Sequence, residues 1–335
     1  MKKVFSFVFA ALLIVATLAG CAQKTDDNPG TTPPAAKVVV NVGVIKGPTG
    51  IGMANLMAAD EAGTSTNDYN FTVGTAPDEI GNKLASASGG LDIAALPTNM
   101  AAALYQKTEG NIQLLAVNTL GVLYVLENGT AIESVEDLKG KTIYSTGQGA
   151  NPEYILRYVL EKNGIDPDED VNIEFLAQNE ELNQKMISGQ ASVALVPEPN
   201  VSAITAQNAN VRVALSMNTE WEKVADENSK LMMGCVAVRK EFLENNKAAV
   251  DAFLAEYKAS IEKAADVDAT ATLCETYGII PKAAIAKKAI PNCQLTFVAG
   301  ADMKAQIAGY YEVLFSYNPK AVGGKLPDDA FYYVG

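Results

Sequence analysis

The sequence contains no histidine among its 335 residues. Without an imidazole, the chain cannot form a histidine-ligated zinc site or a serine or cysteine nucleophile system that uses a histidine base. We find no other set of residues that would form a catalytic centre. The sequence therefore predicts a binding protein with no metal and no cofactor, rather than an enzyme.

The glycine patterns of the common nucleotide-binding loops are also missing. Gly47, Gly50 and Gly52 have the spacing G-x-x-G-x-G, which differs from the dinucleotide-binding pattern G-x-G-x-x-G. Met53 and Ala54 stand where a P-loop needs lysine followed by serine or threonine. Binding of NAD or ATP is therefore not expected.

Positive charge is scarce. The chain has 26 Lys and Arg residues against 39 Asp and Glu residues, and its formal net charge is −13. Loss of Lys2 and Lys3 with an N-terminal leader would make the charge about −15. Such a field repels phosphate backbones, so nucleic acid is not an expected partner.

Long apolar runs are absent after the N-terminus. Residues 4–18 form one apolar run behind Lys2 and Lys3, but it is shorter than the roughly 20 residues that span a bilayer. This pattern predicts a signal peptide over residues 1–20. The run ends in Leu18-Ala19-Gly20-Cys21, which resembles a bacterial lipobox, and we expect Cys21 to carry a lipid with palmitate-type acyl chains.

A polar segment rich in proline and threonine follows Cys21. Residues 21–37 have nothing to bury and are predicted to be a flexible tether that reaches on the order of 20 Å. It would hold a globular body on the extracytoplasmic face of the cell membrane. That body, residues 38–335, is long enough for two domains.

Cysteine is rare as well, since only Cys235, Cys274 and Cys293 remain after Cys21. Outside the cytosol, Cys274 and Cys293 could close a disulfide loop worth about 3 kcal/mol, or both could stay free. Cys235 lies in an apolar, strand-like stretch and is predicted to be a buried free thiol.

The most informative stretch is residues 38–57. A β-branched run leads through Gly47-Pro48-Thr49-Gly50 into an apolar segment with helical spacing. The backbone N–H groups at such a helix start can bind the acceptor atoms of a ligand, although ordinary strand-to-helix turns look similar.

Strands and helices then alternate, which predicts an α/β fold with mostly parallel sheets. Lys83–Asn99 resembles Lys185–Asn200, so two related halves are expected. We predict a first lobe formed by residues 38–118 and 222–335, including C-terminal helices, and a second lobe formed by residues 119–221. We predict strands over residues 38–45 and 231–238 and a polar connection that starts at Trp221. We predict helices over residues 52–62, 153–163, 240–264, 268–277, 281–289 and 301–316.

Five stretches together resemble a known family: GVIKGPTGIG, GGLDIAALPTN, the run SVEDLKGKTIYSTGQGANPEYILRYVLEKNGI, ASVALVPEP, and the lipobox with its tether. They are similar to the solute-binding lipoproteins of bacterial ABC importers, in the nitrate, sulfonate, taurine and pyrimidine-precursor group with the type II periplasmic-binding fold. The resemblance covers residues 38 to about 254. It implies that two lobes close on a small molecule and that a monomer then docks on a permease with its ATPase.

In that family, the loops after the strands line the ligand cleft. The resemblance assigns ligand binding here to Gly47, Pro48, Thr49, Gly50, Pro97, Thr98, Asn99, Thr119, Thr146, Gly147, Gln148 and Glu198. Open α/β sheets also bind ligands beyond the carboxyl ends of their strands, so the assignment agrees with the predicted topology.

The ligand remains open between two chemistries. The only arginines, Arg157, Arg212 and Arg239, lie outside the predicted cleft loops, which disfavours a sulfonate or carboxylate bound by a guanidinium. An oxyanion held by threonines and helix amides is still compatible with these loops. Glu198 instead favours a ligand with an amine or ring N–H, although an exposed acid at a helix start is equally compatible.

Two other functions share this fold. A ligand sensor would present its closed form to a membrane receptor, and an enzyme related to menaquinone-pathway dehydratases is the less favoured alternative. Genes for a permease and an ATPase beside this one would favour import, whereas a histidine kinase gene would favour sensing.

Overall fold

Two β-sheets organise the chain. The computed structural model describes residues 37–86 and 90–335, and the predicted signal peptide, Cys21 and most of the predicted tether lie outside the described residues. Residues 37–335 form one compact unit. No helix among the described residues combines the length and apolarity needed to cross a membrane.

The first sheet contains six strands in the order β11-β4-β10-β3-β1-β2. These strands are β1 (Val39–Ile45), β2 (Asp68–Gly74), β3 (Ile93–Pro97), β4 (Ile112–Thr119), β10 (Gly234–Arg239) and β11 (Leu295–Ala299). The first four run in one direction, and β10 and β11 run in the other.

The second sheet contains five strands in the order β7-β6-β8-β5-β9. These strands are β5 (Leu123–Asn128), β6 (Thr142–Thr146), β7 (Asn172–Leu176), β8 (Val193–Pro197) and β9 (Val211–Ser216). Within this sheet, β5 runs opposite to the other four. In both sheets, most strands therefore run in one direction. The antiparallel strand β10 lies beside β3 in the first sheet, and the antiparallel strand β5 lies beside β8 in the second.

Helices cover both sheets. The helices that precede the second crossing between the sheets are α1 (Pro48–Ile51), α2 (Ala54–Glu61), α3 (Pro77–Ala85), α4 (Thr98–Lys107), α5 (Asn151–Lys162), α6 (Asn179–Ile187), α7 (Asn200–Thr205) and α8 (Met217–Val224). Those that follow it are α9 (Lys240–Asn245), α10 (Lys247–Lys263), α11 (Val267–Thr276), α12 (Ala283–Ala289) and α13 (Gly300–Tyr317).

The core follows the strand alternation. Val236 and Val238 pack with the helices α10 to α12 on one face of the first sheet, whereas Cys235 and Ala237 face the other side, because successive strand residues point to opposite faces. The core on that other side is continuous through Trp221 and α13 with the core of the second sheet.

Several local predictions were wrong. The segment from Trp221 is not a polar connection, because Trp221 lies fully buried in α8. β11 was missed inside the supposedly helical C-terminal third. The predicted helix 240–264 is broken at Asn246, whose ψ of 40° departs from the helical region.

Candidate functional site

The carboxyl-end edge of the first sheet brings predicted site residues together. Gly234, at the start of β10, pairs with Pro97 on one side and with Thr119 on the other. The loop after β1 lies at the same edge, because β1 runs parallel to β3. Gly47, Pro48, Thr49 and Gly50 in that loop and the start of α1 thus adjoin the ends of β3 and β4.

A buried amide holds the Gly47–Gly50 loop in place. The Nδ2 of Asn118 donates to the carbonyl oxygen of Thr49 at 3.2 Å and to the hydroxyl of Tyr257 at 2.8 Å. The hydroxyl of Thr119 donates to Asn118 Oδ1 at 2.9 Å. Burial raises the pKa of the Tyr257 hydroxyl. Asn118 was not predicted as a site residue, and its one signal in the sequence is its position at the end of a strand.

Gly234 allows this close approach. A Cβ at this position would lie 2.6 Å from Asn118 Oδ1 and 2.8 Å from the Thr49 hydroxyl oxygen. Both distances are below those that real Cβ atoms show, so the polar groups of Asn118 and Thr49 require a residue without a side chain here.

We expect Gly234→Ala to lower the free energy of unfolding by about 1 to 3 kcal/mol, the usual cost of overpacking. Because Thr49→Ala removes one of the two groups that the new Cβ would meet, the double variant should lose less than the sum of the single variants. Urea unfolding of the four proteins measures this coupling. Gly140→Ala, at a turn with φ of +75° and open space, is the matched control and should be additive with Thr49→Ala. Additive losses for Gly234→Ala would contradict the contact.

Thr98 and Asn99 have different roles at the start of α4. The hydroxyl of Thr98 is fully buried and donates to the carbonyl oxygen of Met232 at 2.6 Å, so its side chain is committed to the core. Asn99 is half-buried, and its Oδ1 accepts a hydrogen bond from Asn151 Nδ2 at 3.0 Å. Asn99 thus links the first sheet to α5, the helix that follows strand β6 of the second sheet.

The second sheet contributes the loop after β6. Thr146 ends the strand, and its hydroxyl donates to Asn179 Oδ1 at 2.8 Å. Gly147 follows with φ of +80°, and Gln148 is exposed. Helix α5 begins directly after this loop, so Gly147 and Gln148 lie between the end of a strand and the start of a helix.

Glu198 follows β8 and is almost fully buried. Its Oε2 accepts a hydrogen bond from the Ser202 amide at 3.1 Å, and its Oε1 accepts from the Ser202 hydroxyl and from Asn292 Nδ2, both at 3.0 Å. Burial raises the pKa of the Glu198 carboxyl, although the hydrogen bonds from Asn292 and Ser202 oppose that shift. The hydroxyl of Tyr124 donates to the carbonyl oxygen of the same Asn292 at 2.6 Å.

The two sheet edges therefore meet. The Asn99–Asn151 and Glu198–Asn292 hydrogen bonds each join a residue that follows a strand of one sheet to a segment of the other. We call the region where these segments meet, beside Asn99 and Glu198, the interlobe region, after the two lobes predicted from the sequence. A cavity of about 490 Å³ lies at the opposite edge of the first sheet, beside Lys107 and Arg239.

The cysteines are free. Cys274 and Cys293 are both buried and unbonded, so of the two alternatives the structure has the reduced pair. Burial raises the pKa of Cys274 to about 12 and also raises the pKa of Cys293, to which the nearby Glu198 and Cys274 contribute. Cys235 is a buried free thiol, as predicted, and donates to the carbonyl oxygen of Leu96.

The three arginines all pair with acids. Arg157 contacts Glu153 and Asp168, Arg212 contacts Glu127, and Arg239 contacts Asp92, all within 2.9 Å. The described residues contain no cluster of acidic residues and cysteines that could hold a metal ion.

Comparisons with known proteins agree with this geometry. Residues 107–271 match the family model described as NMT1/THI5 like. An ABC transporter protein from Parabacteroides distasonis is 24% identical, with a TM-score of 0.73 and coverage of 89% of this chain and 99% of that chain. The aliphatic sulphonate binding protein SsuA from Escherichia coli is 15% identical, with a TM-score of 0.68 and coverage of 89% and 92%. The alkanesulfonate-binding protein SsuA from Xanthomonas axonopodis pv. citri, bound to MOPS, is 16% identical, with a TM-score of 0.61 and coverage of 90% and 97%. No curated protein sequence matches the chain.

These likenesses show the fold, which is the type II fold of periplasmic binding proteins. The predicted fold class and the predicted resemblance to this group are confirmed. Both SsuA proteins are named as sulfonate-binding proteins.

Proposed function

We propose that this chain is the extracytoplasmic solute-binding protein of an ABC importer. It captures a small polar molecule in the interlobe region and delivers it to the permease, which its ATPase drives. One lobe comprises residues 38–118 and 222–335, and the other comprises residues 119–221. The chain acts as a monomer without a cofactor, and the family match and the fold support this role.

The observation that carries the proposal is that two chain crossings join the sheets at the edges where the site residues lie. Residues 120–122 lead from β4 to β5, and residues 225–233 lead from α8 back to β10. The two crossings touch, because a Cβ on Gly121 would lie only 2.6 Å from Leu231 Cδ2. The amide of Gly121 also donates to Asn218 Oδ1 at 3.3 Å. Two short adjacent crossings form a hinge about which the lobes can close on a ligand.

The N-terminus supports delivery at a membrane. Residues 1–20 would direct export, and a lipid on Cys21 would anchor the mature chain through the tether 21–37. Two or more acyl chains give stable anchoring where a single chain gives only reversible binding. An anchored binding protein stays close to its permease.

The site assignment predicts that Thr49→Ala, Asn99→Ala and Glu198→Ala each weaken solute binding. Loss of one buried hydrogen bond costs about 1 to 3 kcal/mol, so affinity should fall about 5-fold to 150-fold. Glu198→Ala should also lower stability, because it leaves the amide of Asn292 and the hydroxyl of Ser202 without their acceptor. Isothermal titration calorimetry with the solute that stabilises the wild type measures the affinities.

Thr272→Ala is the matched control, because Thr272 is exposed on α11 and its hydroxyl bonds only to the carbonyl oxygen of Asp268 in the same helix. It should bind like the wild type. If all three site variants also bind like the wild type, the cleft assignment is wrong.

A further inference from the structure

The side of the interlobe region next to the second sheet contains an unused acceptor. Asn151, the first residue of α5, is nine-tenths buried. Its Nδ2 donates to Asn99 Oδ1 and to the hydroxyl of Tyr310, both at 3.0 Å, but its Oδ1 has no partner among the described residues. The amide orientation follows from its neighbour, because Asn99 donates its own Nδ2 to the carbonyl oxygen of Ala321 and offers Oδ1 to Asn151.

A buried acceptor without a donor costs free energy. A ligand N–H or O–H placed between α4 and α5 would satisfy it, whereas an anionic oxygen would add a second acceptor. Glu198 presents a similar requirement. Its carboxylate has about four lone-pair positions and accepts three hydrogen bonds from Ser202 and Asn292, so one position is free for a donor.

No cation compensates Glu198. Among the described residues, the groups that set the pKa of its carboxyl are Asn292 and Ser202, together with burial, and no lysine or arginine is among them. The buried carboxyl group therefore lacks the cationic partner that a buried carboxylate normally has. A positively charged or strongly donating ligand would supply it.

The helix start that would bind an oxyanion is already occupied. The Oε2 of Glu153, in the first turn of α5, accepts the amide of Gly149 at 2.7 Å. The same carboxylate holds the Nε of Arg157 at 2.8 Å. A sulfonate or nitrate at this position would have to displace the chain's own carboxylate.

One exposed cation precedes the Gly47–Gly50 loop in the chain. Lys46 precedes Gly47, is exposed, and makes no ion pair with the described residues. Lys46 therefore separates two chemistries experimentally, because an oxyanion would depend on its charge and a donor bound beside Glu198 would not.

We propose, on the basis of the solute-binding role above, that the ligand is a neutral or cationic small molecule that presents N–H donors to Glu198 and Asn151. This class differs from the sulfonates named for the two SsuA proteins.

Matched probe pairs test the proposal. Propylamine is compared with propane-1-sulfonate, and benzylamine with phenylmethanesulfonate, so that each pair shares a carbon skeleton, and nitrate is added as a small oxyanion. Thermal shift and calorimetry use the soluble mature chain with Cys21 replaced by serine. We expect the amine of each pair to bind at least tenfold more tightly than its sulfonate.

Three variants test which residues determine the preference for the amines over the sulfonates. Glu198→Gln keeps the shape and removes the charge, and it should reduce amine affinity about tenfold or more. Glu153→Ala frees the amide of Gly149, while Arg157 keeps its pair with Asp168, so the variant should raise sulfonate affinity without lowering amine affinity. Lys46→Met should leave amine affinity unchanged. Since Glu153 is partly solvent-exposed at a helix start, its variant tests the proposal even if Glu198→Gln fails to fold.

The outcomes distinguish failure of the proposed ligand class from failure of the proposed solute-binding role. Tighter binding of the sulfonates or nitrate would overturn the ligand class, whether or not Lys46→Met weakens it, and would leave the solute-binding role intact. Binding of neither member of either pair at 10 mM would overturn the ligand class and would leave the solute-binding role intact, because that role does not depend on these four probes. Amine binding that is insensitive to Glu198→Gln would overturn the assignment to this side of the interlobe region.

Discussion

Trp221→Ala is expected to lower the free energy of unfolding by about 3 to 5 kcal/mol, the range for truncating a large aromatic side chain in a core. Trp221 is the largest fully buried side chain among the described residues. Its ring lies 4.4 Å from that of Tyr158 on α5 and 5.7 Å from that of Tyr310 on α13, measured between centroids. Helix α5 follows strand β6 of the second sheet, and α13 follows strand β11 of the first. The cavity left by Trp221→Ala would therefore form where helices of the two sheets pack together.

Urea unfolding of the wild type and two variants measures the effect. Trp221→Phe is the matched control, because it keeps most of the ring volume and loses the indole N–H that donates to the carbonyl oxygen of Ser229 at 3.0 Å. It should cost clearly less than Trp221→Ala. An alanine variant that loses under 1 kcal/mol would show that the surrounding aromatic rings do not depend on Trp221.

Arg212→Met is expected to cost about 3 kcal/mol at neutral pH, the lower end for breaking a buried ion pair, because the Arg212 side chain is 36% exposed. Its partner Glu127 is 6% exposed. The guanidinium Nη2 lies 2.7 Å from Glu127 Oε2, and the amides of Ala131 and Ile132 donate to the same carboxylate at 2.8 and 3.1 Å. Removing Arg212 leaves a buried carboxylate without its cation.

The loss of unfolding free energy in Arg212→Met should depend on pH. Burial alone would raise the pKa of Glu127, but the hydrogen bonds from Ala131 and Ile132 and the charge of Arg212 outweigh it and lower the pKa below 4.5. A lowered carboxyl pKa contributes stability that is present above the unfolded-state pKa and is lost as the pH falls through the folded-state pKa. The difference between wild type and Arg212→Met should therefore be full at pH 7 and shrink below about pH 4.

Denaturant unfolding across this pH range measures the difference. The double variant Glu127→Gln with Arg212→Met is the control, since it lacks both charges and its cost should vary little with pH. An equal loss for Arg212→Met at pH 7 and pH 3 would contradict the ionic contribution.

Local chemistry was enough to predict many elements. The strand predicted over residues 38–45 is β1, and the helix predicted after Asn151 and Pro152 is α5. Gly164, predicted to end that helix, has φ of +74° just beyond it. In each case the signal is a short-range property of the chain: β-branched residues, a proline that suits a first helical turn, or a glycine that adopts positive φ.

Elements fixed by distant partners were not predictable in this way. β11 is a five-residue strand whose pairing with β4 sets its conformation. Trp221 is surrounded by polar residues in sequence, and its burial arises from α5 and α13, which lie far away along the chain. No window of sequence around either segment contains the information that determines it.

The same limit applies to the candidate site. The ends of β1, β3 and β6 could be placed at sheet edges from the strand pattern, and the structure places them there. Sequence could not indicate that the Thr98 hydroxyl is committed to the carbonyl oxygen of Met232, or that Asn292 reaches Glu198. Both contacts join segments that are close only after the chain has crossed between the sheets twice.

The position of β10 between β3 and β4 has a consequence for the order of synthesis. The second sheet uses only residues 123–216, whereas the first cannot bridge β3 to β4 until residues 234–239 have emerged. Such long-range pairing raises contact order and slows folding. The first sheet therefore stays incomplete during most of the chain's elongation. This delay would suit the predicted export of the chain, because an exported polypeptide is threaded through a translocation pore before it folds.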